Sequence, residues 1–158
     1  AIQGISVSGD DTAQIQRSLA HMPLRYEQQS NSAIAVLDWL KQQSQFCQVL
    51  HPSDVNSAGH LFWQQVCETG KSAGLVSVIF KPEYDFAAIR KFCDSLNLFK
   101  LGFSWGGPVS LVMLYDLKQM RELENTHLQQ GLLVRFCIGL EDPNDLIQDI
   151  QNALKQLE

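Results

Sequence analysis

Residues 131–154 read GLLVRFCIGLEDPNDLIQDIQNAL and contain a strand signal, a turn and a helix signal in succession. Strand alternation within LLVRFCI places Leu133, Arg135 and Cys137 on one face and apolar residues on the other. Asp142, directly before a proline, is positioned to cap a helix. That helix has one apolar face, made of Leu146, Ile147, Ile150, Leu154 and Leu157. A strand followed by an amphipathic helix predicts a sheet with helices packed against it.

Three other segments are rich in β-branched and aromatic residues and are bounded by Gly or Pro, which predicts strands at residues 46–52, 74–81 and 98–103. Helical patterns separate them, and a long helical region, interrupted at Pro23, precedes the first strand. We therefore expect an α+β fold, an α/β sandwich. Its small, mostly antiparallel four-stranded sheet should be covered by helices on one face. Residues 1–44 are predicted to be connecting helices and residues 45–158 the small domain.

The composition excludes several classes of protein. The chain has 158 residues, which suits one ordinary domain, and it has no apolar run long enough for a membrane span. Its net charge of −5 argues against a nucleic-acid partner. The four cysteines and four histidines are not spaced as metal ligands, so no metal site is expected. The first residues lack the pattern of a signal peptide, which favours a cytoplasmic location. The absence of an initiator Met suggests a piece of a longer protein.

Arg135 is unusual because it lies in the middle of an apolar strand. A guanidinium in such surroundings must be paired or must face a cavity, since burying an unpaired charge is costly. One possibility is an ion pair with Glu141 or Asp142. The other is a planar fork that binds a ligand carboxylate through two parallel hydrogen bonds. The spacing alone does not separate them.

A second unusual stretch, GFSWGGPVSL, occupies residues 102–111. Its turn combines the Ser104 hydroxyl, backbone N–H groups and the Trp105 indole, and its glycines allow a ligand to approach the backbone closely. The alternative is that Trp105 only fills an apolar gap over a tight turn.

The segment FSWGG, followed by GLLVRFCIGLEDPNDLIQDIQNAL, resembles the C-terminal domain of the fold-type I pyridoxal-phosphate (PLP) enzymes of cysteine and methionine metabolism. Tryptophan in the turn is similar to the cystathionine β-lyase branch, whereas γ-synthases and γ-lyases usually carry Leu there. The resemblance implies that Arg135 binds the α-carboxylate of an amino-acid substrate. It also implies that Ser104 and Trp105 line the same pocket.

In this family the lysine that forms the Schiff base lies in a Ser-x-Thr-Lys stretch, and none of the seven lysines here has that context. The resemblance therefore implies that the lysine and the N-terminal PLP domain lie upstream. No catalytic residue and no bound cofactor are expected in this chain, which should be inactive alone. The full-length enzyme would be a homotetramer that uses PLP to convert cystathionine to homocysteine, pyruvate and ammonia. The alternatives are a cystathionine γ-synthase or methionine γ-lyase relative, or a free-standing amino-acid-binding module.

Overall fold

The structure, a computed structural model, describes residues 6–117, 128 and 131–157. Its sheet has the strand order β1-β2-β5-β4-β3. The strands are β1 (Phe46–Leu50), β2 (Leu75–Phe80), β3 (Lys100–Leu101), β4 (Leu111–Tyr115) and β5 (Leu133–Cys137). The first three pairings in that order are antiparallel, and β3 pairs with β4 in parallel. The described helices are α1 (Gly9–Leu19), α2 (Met22–Leu40), α3 (His60–Val66), α4 (Phe86–Ser95) and α5 (Pro143–Leu154), and a 3₁₀ turn (Lys155–Leu157) follows α5.

The α+β class is confirmed, but the prediction of four strands is wrong, because the sheet has five and is mixed. The strand that was missed is β4, which pairs with β5 along its whole length. Its sequence, LVMLY, is a short apolar run without alternation, and such a run does not distinguish strand from helix. The predicted strand at residues 98–103 contributes only the two residues of β3.

The hydrophobic core lies between one face of the sheet and the helices α2, α4 and α5. The sheet contributes alternate residues such as Val76, Val112, Val134 and Phe136, all fully buried. Phe92 of α4 meets Phe136 edge-on, with the ring centroids 6.4 Å apart. The side of the sheet that carries Ser77, Met113 and Arg135 faces away from these helices, and we call it the second face.

Two helix caps follow the sequence pattern. The side chain of Asp85 accepts a hydrogen bond from the Ala88 N–H, and that of Asp142 accepts one from the Asn144 N–H. At the start of α1 the cap is Ser8, whose hydroxyl accepts from the Asp11 N–H. Side-chain oxygens at these positions satisfy donors that a helix cannot satisfy internally.

The C-terminal half of α2 packs into the core through residues such as Ala33, Val36 and Leu40, all fully buried. By contrast, α1 has no buried residue. A domain boundary at residue 44 remains a prediction, and α2 contacts both β1 and β2 across it.

Within the described ranges, no helix is both long and apolar enough to cross a membrane. The same ranges contain no cluster of three or more His, Cys, Asp or Glu side chains arranged to hold a metal ion.

Candidate functional site

Arg135 lies at the centre of the second face. In the strand register it stands opposite Ser77 of β2 on one side and Met113 of β4 on the other. Its sequence neighbours Val134 and Phe136 point into the core and are fully buried. The alternation of β5 therefore places the guanidinium on the face turned away from α2, α4 and α5, opposite the face of Val134 and Phe136, as the sequence pattern predicts.

The guanidinium binds backbone carbonyls of the segment that precedes β4. Its Nη2 donates to the Phe103 carbonyl at 2.7 Å and lies 3.4 Å from the Ser104 carbonyl and 3.5 Å from the Gly102 carbonyl. Its Nε is buried and has no hydrogen-bond partner among the described residues. Carbonyl oxygens carry only partial charge, so this arrangement anchors one nitrogen and leaves the positive charge without a counter-ion among the described residues.

The ion pair of Arg135 with Glu141 or Asp142, one of the two possibilities that the sequence left open, is not formed in the described part of the chain. Both carboxylate oxygens of Glu141 bind Ser110, and Asp142 caps α5. The ion pairs found among the described residues are Lys41–Asp54, Lys71–Glu27 and Arg90–Asp94. Arg135 is thus available for a carboxylate that this part of the chain does not supply.

The segment of residues 102–110, which we call the SWGG loop, is fixed to its surroundings by its backbone. Gln29 of α2 donates through Nε2 to the Gly107 carbonyl at 2.7 Å. The Leu140 N–H donates to the Pro108 carbonyl at 2.9 Å, and the Lys100 N–H donates to the Ser110 carbonyl at 3.0 Å. These bonds connect the loop to α2, to the turn after β5 and to β3.

Trp105 does not fill a gap in the core, because 65% of its surface is exposed. Its ring centroid lies 5.8 Å from the guanidinium carbon of Arg135, within the range of a cation–π contact. Ser104 is also exposed, and the contact that joins it to Arg135 is made by its carbonyl. The structure therefore brings together all three residues singled out in the sequence.

Sequence reasoning missed two further residues of this site. Gln29 looks like a surface residue in an amphipathic helix, yet it is only 7% exposed and supports the SWGG loop. Tyr115 belongs to the unrecognised strand β4, and its ring centroid lies 5.7 Å from the Arg135 guanidinium carbon. A correct assignment of β4 would have shown that Tyr115 shares a face with Met113, the cross-strand neighbour of Arg135.

Cys137 neighbours Arg135 on the second face and is almost fully buried. Burial raises the pKa of its thiol, although the Gly106 N–H and the positive charge of Arg135 oppose the rise. A buried thiol with a raised pKa is a poor nucleophile, so Cys137 is part of the wall of the site and not its reactive group.

The described residues do not form a complete PLP site. Such a site needs a lysine amine, an acid near the pyridine nitrogen, an aromatic ring to stack on and donors for the phosphate. The amines of Lys41, Lys71, Lys100 and Lys155 bind Asp54, Glu27, Asn97 and Asn152 respectively. No hydrogen bond or ion pair within the described ranges joins a lysine amine to the SWGG loop. These residues alone therefore do not fit the cofactor.

Comparison with known proteins identifies the family. Residues 1–155 match the Cys/Met metabolism PLP-dependent enzyme family. The chain belongs to this family. Its sequence is 35% identical to a cystathionine β-lyase of Bordetella avium over 96% of the chain, and 30% identical to one of Escherichia coli over 99% of the chain. The resemblance seen in the SWGG and GLED segments is thereby confirmed.

The solved structures agree on the fold. A Campylobacter jejuni protein described as an O-acetylhomoserine (thiol)-lyase superposes with a TM-score of 0.80 at 24% identity, over 97% of this chain and 34% of its own. The chain spans 37% of the Bordetella relative and 40% of the E. coli relative. It is therefore a partial match to a family of PLP-dependent enzymes, and PLP is the cofactor of that family.

Proposed function

We propose that this chain supplies the substrate-carboxylate site of a PLP-dependent carbon–sulfur β-lyase that acts on cystathionine. The observation that carries the proposal is the environment of the Arg135 guanidinium. It has a half-buried cation with no carboxylate partner in the described part of the chain, one anchored nitrogen, and the exposed Trp105 beside it. The Bordetella and E. coli relatives, both cystathionine β-lyases, support the choice of substrate.

In this proposal Arg135 holds the α-carboxylate through charge-assisted hydrogen bonds, which are about twice as strong as neutral ones. The SWGG loop forms the opposite wall with Ser104 and Trp105. Holding the carboxylate fixes the orientation of the bonds at the α-carbon, and such positioning accelerates the reaction beyond its contribution to binding. PLP, when bound, supplies the electron sink for cleavage at that carbon.

Because the described residues lack a suitable lysine, the proposal requires a cofactor domain on the N-terminal side, and it predicts that the 158-residue chain alone is inactive. The working enzyme would be a cytoplasmic homotetramer.

The test is Arg135→Ala in the complete polypeptide encoded by the gene. We expect kcat/KM for cystathionine to fall about 10²-fold or more, because the carboxylate loses a charged bidentate partner. Arg135→Lys should recover little of this, since an ammonium cannot reproduce the planar fork. Arg90→Ala is the control, because Arg90 is exposed on α4 and its ion pair among the described residues is with Asp94. An unchanged kcat/KM in Arg135→Ala would contradict the proposal.

Product analysis separates the related activities. Homocysteine, pyruvate and ammonia indicate β-elimination, whereas 2-oxobutyrate or transfer to a second thiol indicates the γ-enzymes. A free-standing amino-acid-binding module is the remaining alternative, since the sheet and helices enclose a core of their own. It predicts a start codon directly before Ala1 and amino-acid binding by the isolated chain.

A further inference from the structure

Tyr115 forms a second aromatic wall beside Arg135. The guanidinium carbon lies 5.7 Å from the centroid of the Tyr115 ring and 5.8 Å from that of the Trp105 ring. Both distances are within the range in which an aromatic ring attracts a cation. The two rings therefore act on the same charged group.

The strand register explains how Tyr115 reaches Arg135. Met113 stands directly opposite Arg135. Tyr115, two residues after Met113, stands opposite Leu133, two residues before Arg135, because the strands are antiparallel. Tyr115 is thus a diagonal neighbour of Arg135 on the second face, and long or aromatic side chains bridge that separation. A shorter residue at position 115 would leave this side of the guanidinium without a wall.

The two walls belong to different kinds of structural element. Trp105 belongs to the SWGG loop, is 65% exposed and precedes Gly106, whose φ of +75° places it in the left-handed region. Tyr115 is half-buried on a hydrogen-bonded strand, and its ring meets that of Phe103 edge-on with centroids 6.4 Å apart. Tyr115 therefore approaches the guanidinium from a hydrogen-bonded strand, and Trp105 approaches it from a loop.

We infer that Tyr115 is a positioning residue for Arg135, a step that rests on the proposed carboxylate site. Its ring holds the guanidinium from the strand side, while the Phe103 carbonyl holds Nη2. Together they fix the orientation of the guanidinium plane, and with it the direction of the remaining N–H donors, before a carboxylate arrives. Pre-ordering a flexible cation reduces the entropy lost on binding, so Tyr115 raises carboxylate affinity without touching the ligand.

The contact itself is tested by NMR on the 158-residue chain, with the Arg135 Nε–H resonance assigned through Arg135→Lys. In the wild type we expect nuclear Overhauser effects between the Tyr115 ring and the Arg135 δ protons, with ring-current shifts on those protons. Tyr115→Phe should preserve the shifts and Tyr115→Leu should lose the part due to this ring. Met113→Leu is the matched control, because it alters the direct cross-strand neighbour without altering either ring.

The consequence is tested by titrating the same proteins with sodium acetate at constant ionic strength and following the Arg135 Nε–H. We expect Tyr115→Leu to raise the acetate Kd about three- to ten-fold, and Tyr115→Phe and Met113→Leu to leave it within two-fold of the wild type. Equal acetate affinity in all four proteins would overturn the inference and leave the proposed function standing. Acetate that never shifts Arg135, even in the wild type, would count against the carboxylate site itself.

The wild-type spectrum keeps the inference falsifiable if Tyr115→Leu does not fold. Absence of Overhauser effects between Tyr115 and Arg135 in the wild type overturns it without any variant.

Discussion

Glu141 and Ser110 form a two-point hydrogen bond: Oε1 of Glu141 accepts from the Ser110 N–H and Oε2 from the Ser110 hydroxyl, each at 2.8 Å. The Ser110 hydroxyl oxygen also accepts from the Gly139 N–H at 2.8 Å. This cluster joins the end of the SWGG loop to the turn that follows β5. It therefore anchors the end of the SWGG loop beside β5, the strand that carries Arg135.

Ser110→Ala should lower the free energy of unfolding by about 1–3 kcal/mol. The substitution removes the hydroxyl and leaves the buried Gly139 N–H and one Glu141 oxygen without a partner. Urea denaturation of the 158-residue chain measures this. Ser104→Ala is the control, because it removes an exposed hydroxyl from the same loop and should change stability by less than about 0.5 kcal/mol. Equal stability of the two variants would show that the cluster contributes nothing.

Gly139→Ala should destabilise the fold by about 1–3 kcal/mol through overpacking. An added Cβ would come within 2.5 Å of the Pro108 carbonyl oxygen and 2.7 Å of the Ser110 nitrogen, both backbone atoms that cannot rotate away. Gly107→Ala is the matched control, since a Cβ there meets nothing within 4 Å. The shift in the thermal unfolding midpoint from the wild-type value measures the destabilisation in each of the two variants. A Gly139→Ala midpoint equal to that of Gly107→Ala would contradict the close approach.

The stability of the chain should decrease below neutral pH because of His51. Burial lowers the pKa of His51 to about 4, against a smaller opposing effect of Asp54, and its Nε2 is buried without a partner among the described residues. The folded state therefore resists protonation that the unfolded state accepts. The contribution of neutral His51 to the free energy of unfolding is therefore complete above pH 6.5, and it is lost as the pH falls from 6.5 to about 4.

From pH 7 to pH 5 we expect the free energy of unfolding of the wild type to fall by about 2 kcal/mol. The fall should be much smaller in His51→Gln. His21→Gln, at an exposed position, should retain the wild-type slope. Urea denaturation at each pH gives the free energy of unfolding, and the slope is the change of that free energy with pH. Asp54 affects the stability at lower pH than His51 does. Burial alone raises the pKa of the Asp54 carboxyl, but the hydrogen bonds from Lys41 and the Asn56 N–H outweigh burial, so the pKa is lowered. An unchanged slope in His51→Gln would contradict the assignment to His51.

The thiols should differ in reactivity. Cys67 is exposed, whereas Cys93 is only 4% exposed. Burial, with a smaller effect of Asp94, raises the pKa of Cys93 to about 12. A dithiobis(nitrobenzoate) assay on the folded chain should show one fast thiol, which Cys67→Ser removes and Cys93→Ser does not. Several fast thiols in the Cys67→Ser variant would show that the described core opens readily.

Much of the fold could be predicted because local signals were strong. Gly and Pro bounded the strand β2, and alternation assigned the two faces of β5. The cap Asp142 and the proline after it marked the start of α5. These features depend on residues close in sequence, whose periodicity and hydrogen bonding act within one element. The strand β4 was missed because its pairing with β5 is non-local, and nothing in a uniform apolar run predicts a partner.

By itself, the sequence determined the family, through the SWGG and GLED segments, and the presence of Arg135 on one face of a strand. Only the tertiary structure decided what Arg135 contacts. Glu141 lies six residues from Arg135 and was a reasonable ion-pair partner, yet it binds Ser110, the residue directly before the neighbouring strand β4. Tyr115 and Gln29 are distant in sequence and approach the site only when β4 and α2 pack beside β5 and the SWGG loop. Side-chain periodicity chooses the face of an element, but the pairing of distant segments chooses the neighbours on that face.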